Sequence, residues 1–267
     1  VPSTEAILGT VLFLLLPMLT ADMGLAIILI IIILAHTVTL ATSFSIADCA
    51  TNLNTIGGGG MYALSKRSLG LAFGGSIGIQ LYLAQAASIG FYCIGFSEPL
   101  QPILEPLLNL IPMFQGSGRE TLLLQKQVIA TAMLVIFLII VLTGADFTLK
   151  IQTVILIILI GSIAAIVISP MTGNALSIKG LFVESIADIN LSGNRAITLS
   201  IFFASFTQFF PAVTGIDAGV GMSGDLKEPG KSLVRGTFSA IAVTFVVYIA
   251  AAVIFALMNR EAVIVGY

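Results

Sequence analysis

Long apolar runs separated by short polar turns repeat along the whole chain. They fall at 1–20, 25–49, 69–100, 122–142, 151–169, 197–222 and 233–258, about seven stretches near the roughly 20 residues that cross a bilayer as helix. The 25–49 run is apolar all round, so no stripe marks one face as solvent-exposed. Two runs contain helix breakers. The first holds Gly9 and Pro17, and the sixth holds FFPAVTGIDAG at 209–219. Pro211 removes an amide donor and clashes with the preceding turn, while Gly215 and Gly219 accept backbone angles that other residues avoid. Main-chain groups freed at mid-bilayer cost several kcal/mol each unless protein, ions or water replace their partners, so such a break is tolerated where it lines a site. The sixth-run break also carries Asp217, an ionisable side chain at a depth where such groups mark function or pair structurally.

Composition fits this pattern and removes whole classes of function. The 267 residues are 58% hydrophobic and 9% charged, with a mean hydropathy of +1.11, against about 25% charged for soluble domains. The fold expected is an all-α polytopic helical bundle in a multi-pass integral membrane protein, with the lipid bilayer as its surroundings. A formal net charge of −2, divided among short loops, offers no basic face for nucleic acid. No loop is long enough for a soluble catalytic domain. The acid in residues 1–5 is unlike the basic leader of a signal peptide. The missing initiating Met and the end at Tyr267, soon after a run, read as a trimmed portion of a longer protein. Lys66, Arg67, Lys150, Lys227, Lys231 and Arg235 fall on one side of this topology; Arg119, Lys126, Lys179, Arg195 and Arg260 fall on the other. The bias toward the first, cytoplasmic side is small.

Several local patterns admit sharper readings, each weighed against a blander one. His36, the one histidine, is read as a neutral imidazole bonded to a neighbouring helix, since no second ligand at helical spacing accompanies it. Cys49 and Cys93 sit in or beside apolar helices and indicate neither a disulfide nor a metal site; no cofactor is expected. The glycine run at 57–60 lacks the strand and Lys-Ser/Thr ending of a P-loop and reads as a turn within a 52–70 loop. Gly70, Gly74 and Gly78 form a small-residue stripe suited to close helix packing. GGSIG at 74–78 matches the nucleophile-elbow pattern but needs a strand-to-helix turn. An intramembrane hydrolase on Ser76 and His36 would depend on it. Residues 99–121, with four prolines, and 171–196, with Asn190-Leu191-Ser192, read as external loops; the triplet is a glycosylation acceptor only on a luminal face. Tyr92, inside the third run, needs a partner for its hydroxyl, either a carbonyl or a bound ion.

Gly9 and Gly215 interrupt the first and sixth runs, corresponding positions of two five-span halves, which points to an inverted-repeat transporter. In that architecture free amides hold anions and free carbonyls hold cations. The sequence resembles the cation-chloride cotransporter branch of the amino acid-polyamine-organocation superfamily. The resemblance rests on AILGTVLFL (6–14), IADCATN (46–52), FGGSIG (73–78), FYCIGFSE (91–98), FFPAVTGIDAG (209–219) and SGDLKEPGKSLVRGT (223–237). It implies the LeuT-like inverted-repeat fold, with a first five-helix repeat at 1–170, an external loop at 171–196 and the start of a second repeat at 197–267. It also implies a cation site from Tyr92, Pro211, Thr214, Ala6 and Ile7. The implied anion contacts are backbone amides of Gly9, Thr10 and Val11 and of Gly215, Ile216 and Asp217. No further metal site is implied.

Three departures qualify that picture. Family members that bind potassium well carry asparagine where this chain has Ala6, so one polar ligand is missing. Asp217 occupies a usually apolar position; at ~4 Å and an effective dielectric of about 20 a carboxylate would repel chloride by on the order of 4 kcal/mol. Protonation, a side chain pointed away, or a substrate that is a cation or carries an amino group would resolve the conflict. The family's eighth and tenth spans lie beyond Tyr267. The resulting expectation is a secondary transporter, not an enzyme, performing symport of a monovalent cation, potassium first and sodium as a further candidate, with chloride at the plasma membrane. Homodimerisation is compatible with it. An amino acid or organic cation permease is the same-superfamily alternative; an intramembrane hydrolase and a non-transporting membrane scaffold are the other two.

Overall fold

The structure is a computed structural model and describes residues 2–9, 11–52, 60–115, 118–168, 198–221 and 229–257. Thr10, the first glycines of the 57–60 run, the loop at 171–196 with Asn190, and residues 223–228 of the 223–237 turn lie outside the described residues. Every regular element among the described residues is helical. In chain order these are α1 (Pro2–Ile7), a π-helical turn (Val11–Leu15), α2 (Leu16–Met23), α3 (Leu25–Asn52), α4 (Gly60–Leu69) and α5 (Leu71–Leu108). A 3-10 turn (Pro112–Phe114), α6 (Arg119–Leu142), α7 (Ala145–Ile168), α8 (Leu199–Phe209), a second 3-10 turn (Phe210–Val213), α9 (Ile216–Gly221) and α10 (Pro229–Leu257) follow.

Six stretches, Ser3–Met23, Leu25–Thr51, Leu71–Leu108, Arg119–Leu142, Leu199–Gly221 and Gly230–Leu257, are long and apolar enough to cross a membrane, and Lys150–Ala165 is a shorter apolar helix. The fold is therefore the expected multi-pass membrane bundle. The chain packs as two compact units, one of Val1–Gly74 with Val154–Tyr267 and one of Gly75–Thr153.

In the first unit, α3 and α10 lie along one another and α2 packs on both. Ile28, Ile31, Ile32 and Ala35 on α3 and Tyr248, Ala251 and Ala252 on α10 belong to one buried cluster, together with Leu12, Leu16, Phe209 and Val213. Helices in lipid gain little from apolar burial as such, because the alternative environment is equally apolar; close packing and interhelical hydrogen bonds decide the arrangement. Small Ala251 and Ala252 allow that close approach.

Several boundaries differ from the sequence reading, each for a local reason. Pro17 does not interrupt the first span, since it sits in the first turn of α2, where the π turn gives way to α-helix. Residues 60–69, read as part of a loop, form α4, whose Leu64 is buried. Gly70 is not in the helical stripe: its φ of +92° breaks the chain between α4 and α5. A Cβ at Gly74 would stand 2.7 Å from Lys66 Cα, so its smallness lets the chain fold back on α4. GGSIG lies in the helical interior of α5, which removes the strand-to-helix elbow a hydrolase would need. Ser76 falls in the second unit and His36 in the first.

In the second unit, α5 runs through Pro99, Pro102 and Pro106 to Leu108 instead of ending near Leu100. Prolines spaced by three and four residues share one face, so the missing amide bonds fall on one side and the helix survives on the other. A buried amide network holds this extension. Gln101 Nε2 donates to Gln125 Oε1 at 2.8 Å, and Gln125 Nε2 donates to the Phe114 carbonyl at 3.0 Å. Gln125 is fully buried. Lys126 and Glu98 add an exposed ion pair at 3.3 Å, worth little by itself. Gln125→Leu strands both partners, so the expected outcome is a loss of about 1–3 kcal/mol in thermal unfolding of the detergent-solubilised protein.

Candidate functional site

Both predicted interruptions are present. The first span bends at Leu8 and Gly9 between α1 and the π turn, where the ladder steps from Leu8 N bonded to Thr4 O to Leu12 N bonded to Gly9 O. The sixth span changes from α8 to a 3-10 turn and then opens at Thr214 and Gly215 before α9 begins. Gly215 has a φ of +103°, whereas Gly219 lies inside α9. Only one of the two glycines expected to take unusual angles therefore does so.

The two breaks lie against each other. A Cβ added at Gly215 would stand 2.9 Å from Ala6 Cβ and 3.3 Å from the Ala6 carbonyl carbon, and Ser3 Oγ fills the place where a Cβ at Gly219 would go. Pairing of Ala6 with Gly215 and of Ser3 with Gly219 means that α1 and α9 run antiparallel. The carbonyl end of α1 thus lies beside the amide end of α9, two ends of opposite partial charge.

The freed carbonyls can be accounted for individually. In a continuous helix the Ile7 and Ala212 carbonyls would each accept from an amide four residues on. Here Tyr248 Oη donates to Ile7 O at 2.7 Å and stands 3.3 Å from Ala212 O. Thr39 Oγ1 donates to Val213 O at 3.1 Å. Pro211 O accepts from Thr214 Oγ1 at 2.7 Å and from Thr214 N at 3.3 Å. The carbonyl and hydroxyl expected to ligate a cation are therefore immediate neighbours, and Thr214 Oγ1 keeps lone pairs after donating its proton.

Among the expected site residues, Ala6, Ile7, Pro211, Thr214 and Gly215 gather at this junction in the first unit. Gly9 is in the bend, Val11 opens the π turn buried, Ile216 opens α9 buried, and Asp217 is half-buried in its first turn. Thr10 lies outside the described residues. Tyr92 stands on α5 in the second unit, its ring edge-on to Phe91.

Sequence reasoning missed Thr39, Tyr248 and Glu5 here and misplaced the partner of His36. Tyr248, completely buried on α10, packs edge-to-face on Phe209. Its signal was a tyrosine inside an apolar run, the same signal that selected Tyr92. Glu5, adjacent to Ala6, is half-buried, and its Oε1 has no partner among the described residues; an acid in an apolar run was the available sign. His36 was noticed but assigned differently: Nδ1 bonds to Ile32 O at 2.9 Å in its own helix, not a neighbouring one, and the ring stacks edge-on to Phe245.

Comparison with known proteins agrees with this architecture. The chain is 35% identical over 249 residues to human Solute carrier family 12 member 1, covering 92% of this chain and 22% of that protein. It is 35% identical over 247 residues to mouse Solute carrier family 12 member 2, covering 92% and 20%. A Manduca sexta protein named bumetanide-sensitive sodium-(potassium)-chloride cotransporter is 32% identical over 259 residues, covering 93% and 23%. The chain thus spans little more than a fifth of the length of these curated relatives. Residues 4–262 match the family described as Amino acid permease, and with nearly the whole chain inside that match, the protein belongs to the amino acid permease family.

Proposed function

We propose that this protein is a secondary active transporter that carries a monovalent cation together with chloride by alternating access, with potassium as the expected cation. The observation that carries the reading is the antiparallel meeting of two interrupted helices, Ala6 against Gly215, which sets carbonyl oxygens and the first amides of a helix side by side. Carbonyls and hydroxyls suit cations, and amides that open a helical segment suit anions. The cation is assigned to Tyr92, Pro211, Thr214, Ala6 and Ile7. Chloride is assigned to main-chain amides of Gly9, Thr10 and Val11 and of Gly215, Ile216 and Asp217. Glu5 adds a half-buried carboxyl group beside the cation positions. The reaction needs no covalent chemistry and no cofactor.

The same reading takes residues 1–170 as the first repeat, 171–196 as an external loop and 197–267 as the start of the second. It places the protein in the plasma membrane and is compatible with a homodimer. The name of the Manduca sexta relative, a sodium-(potassium)-chloride cotransporter, supports chloride with sodium or potassium as substrates. Asp217 and the name of the matched family favour a second reading, an amino acid or organic cation permease in which the amides take a carboxylate and Asp217 an amino group.

Rubidium uptake into proteoliposomes containing the natural gene product that carries this sequence, with and without chloride, separates the two. Chloride-stimulated rubidium uptake supports symport; chloride-independent uptake of a labelled amino acid overturns it. Thr214→Ala and Tyr92→Phe should each raise the rubidium KM about five- to tenfold with unchanged expression, since each deletes one oxygen worth about 1 kcal/mol. Normal KM values in both variants would place the cation elsewhere.

A further inference from the structure

The hydroxyl of Tyr248 touches both interruptions at once. It comes from α10, 241 residues from Ile7 and 36 from Ala212 in the chain, yet it meets a carbonyl of each break at 2.7 and 3.3 Å. Both partners are acceptors and a phenol has one proton, so the shorter contact is the hydrogen bond and the longer one the weak arm of a three-centre bond. The side chain has no exposed surface. Its ring is held between Phe209, with centroids 5.3 Å apart, and His36, at 6.0 Å. The hydroxyl is thus fixed by packing that does not depend on the carbonyls it holds.

We propose that Tyr248 is a positioning residue for cation selection, setting the separation of the Ile7 and Ala212 carbonyls. This rests on the cation-transport reading above. A carbonyl oxygen has two lone pairs; Tyr248 occupies one on Ile7 and leaves the other for a cation. Holding the first and sixth breaks at a fixed distance tunes the ligand frame to one ion radius, whereas a freed carbonyl closes on a smaller ion. Tyr248 is not itself a ligand in this scheme. Its effect therefore falls on discrimination between ions more than on maximal rate.

The test is competition of sodium and caesium against rubidium uptake by the natural gene product in proteoliposomes. Tyr248→Phe keeps the ring and its two aromatic neighbours but deletes the donor. The expected result is a shift of about tenfold in the ratio of half-inhibiting concentrations toward sodium, with maximal uptake changed far less. Incorporation of 3-fluorotyrosine at position 248, a stronger donor of nearly the same shape, should move the ratio the other way. A merely structural tyrosine would not produce opposite shifts. Should the phenylalanine variant fail to insert, the fluorotyrosine protein carries the test alone. A ratio that stays within about twofold of wild type in every variant that inserts overturns the role of Tyr248 while leaving symport standing. Absence of any rubidium uptake by the wild type overturns the transport reading, and this assignment with it.

Discussion

Gly215→Ala is expected to abolish uptake and to lower stability by about 2–5 kcal/mol. Two separate penalties combine at this position. The backbone angle of +103° lies where a side chain is strained, costing about 1–2 kcal/mol. The new methyl would also stand 2.9 Å from Ala6 Cβ and 3.3 Å from the Ala6 main chain, an overpacking that typically costs about 1–3 kcal/mol. Relief of the second penalty forces α1 and α9 apart, and their contact is what brings the two breaks together. The double substitution with Ala6→Gly removes the methyl–methyl collision but neither the angular strain nor the main-chain contact. Partial recovery of thermal stability in the pair, measured as a double-mutant cycle, is the result expected. Full activity in Gly215→Ala alone would show that transport does not depend on this contact.

The sequence made the breaks legible because their causes are local. Pro211 and Gly215 disrupt helical bonding whatever surrounds them, and the bilayer turns that disruption into a demand for new partners. What supplies those partners was not legible. Tyr248 and Thr39 reach the junction from other helices far along the chain from the sixth-span break or from both breaks, and periodicity does not say which side chain faces which break. The elements misread at their ends share a different cause. α4 and the extension of α5 past Leu100 are helices of mixed polarity, so their residues resemble loop sequence until the contacts of Leu64 and the Gln101–Gln125 pair are known. The three prolines of α5 predict termination singly. Their common face allows continuation, a property of the set that no single residue carries.

Asp217→Asn is expected to lower the chloride KM about five- to thirtyfold in rubidium uptake, with the rubidium KM changed much less. Asp217 stands in the first turn of α9, where a carboxylate is favourably placed against the positive end of the helix. That is also where chloride is assigned, so side chain and substrate compete for the same partial charge. The bare Coulomb repulsion at ~4 Å is on the order of 4 kcal/mol at an effective dielectric of about 20. Asp217 is only half-buried, and solvent screening reduces this to about 1–2 kcal/mol, which sets the range. Asparagine keeps the shape and an acceptor oxygen while deleting the formal charge. The opposite outcome is equally diagnostic: if the carboxylate receives a substrate amino group, the same substitution destroys uptake of a labelled amino acid and leaves chloride without effect. One variant thereby decides which substrate uses the amide end of the sixth-span break, because the charge that hinders chloride is the charge an ammonium group requires.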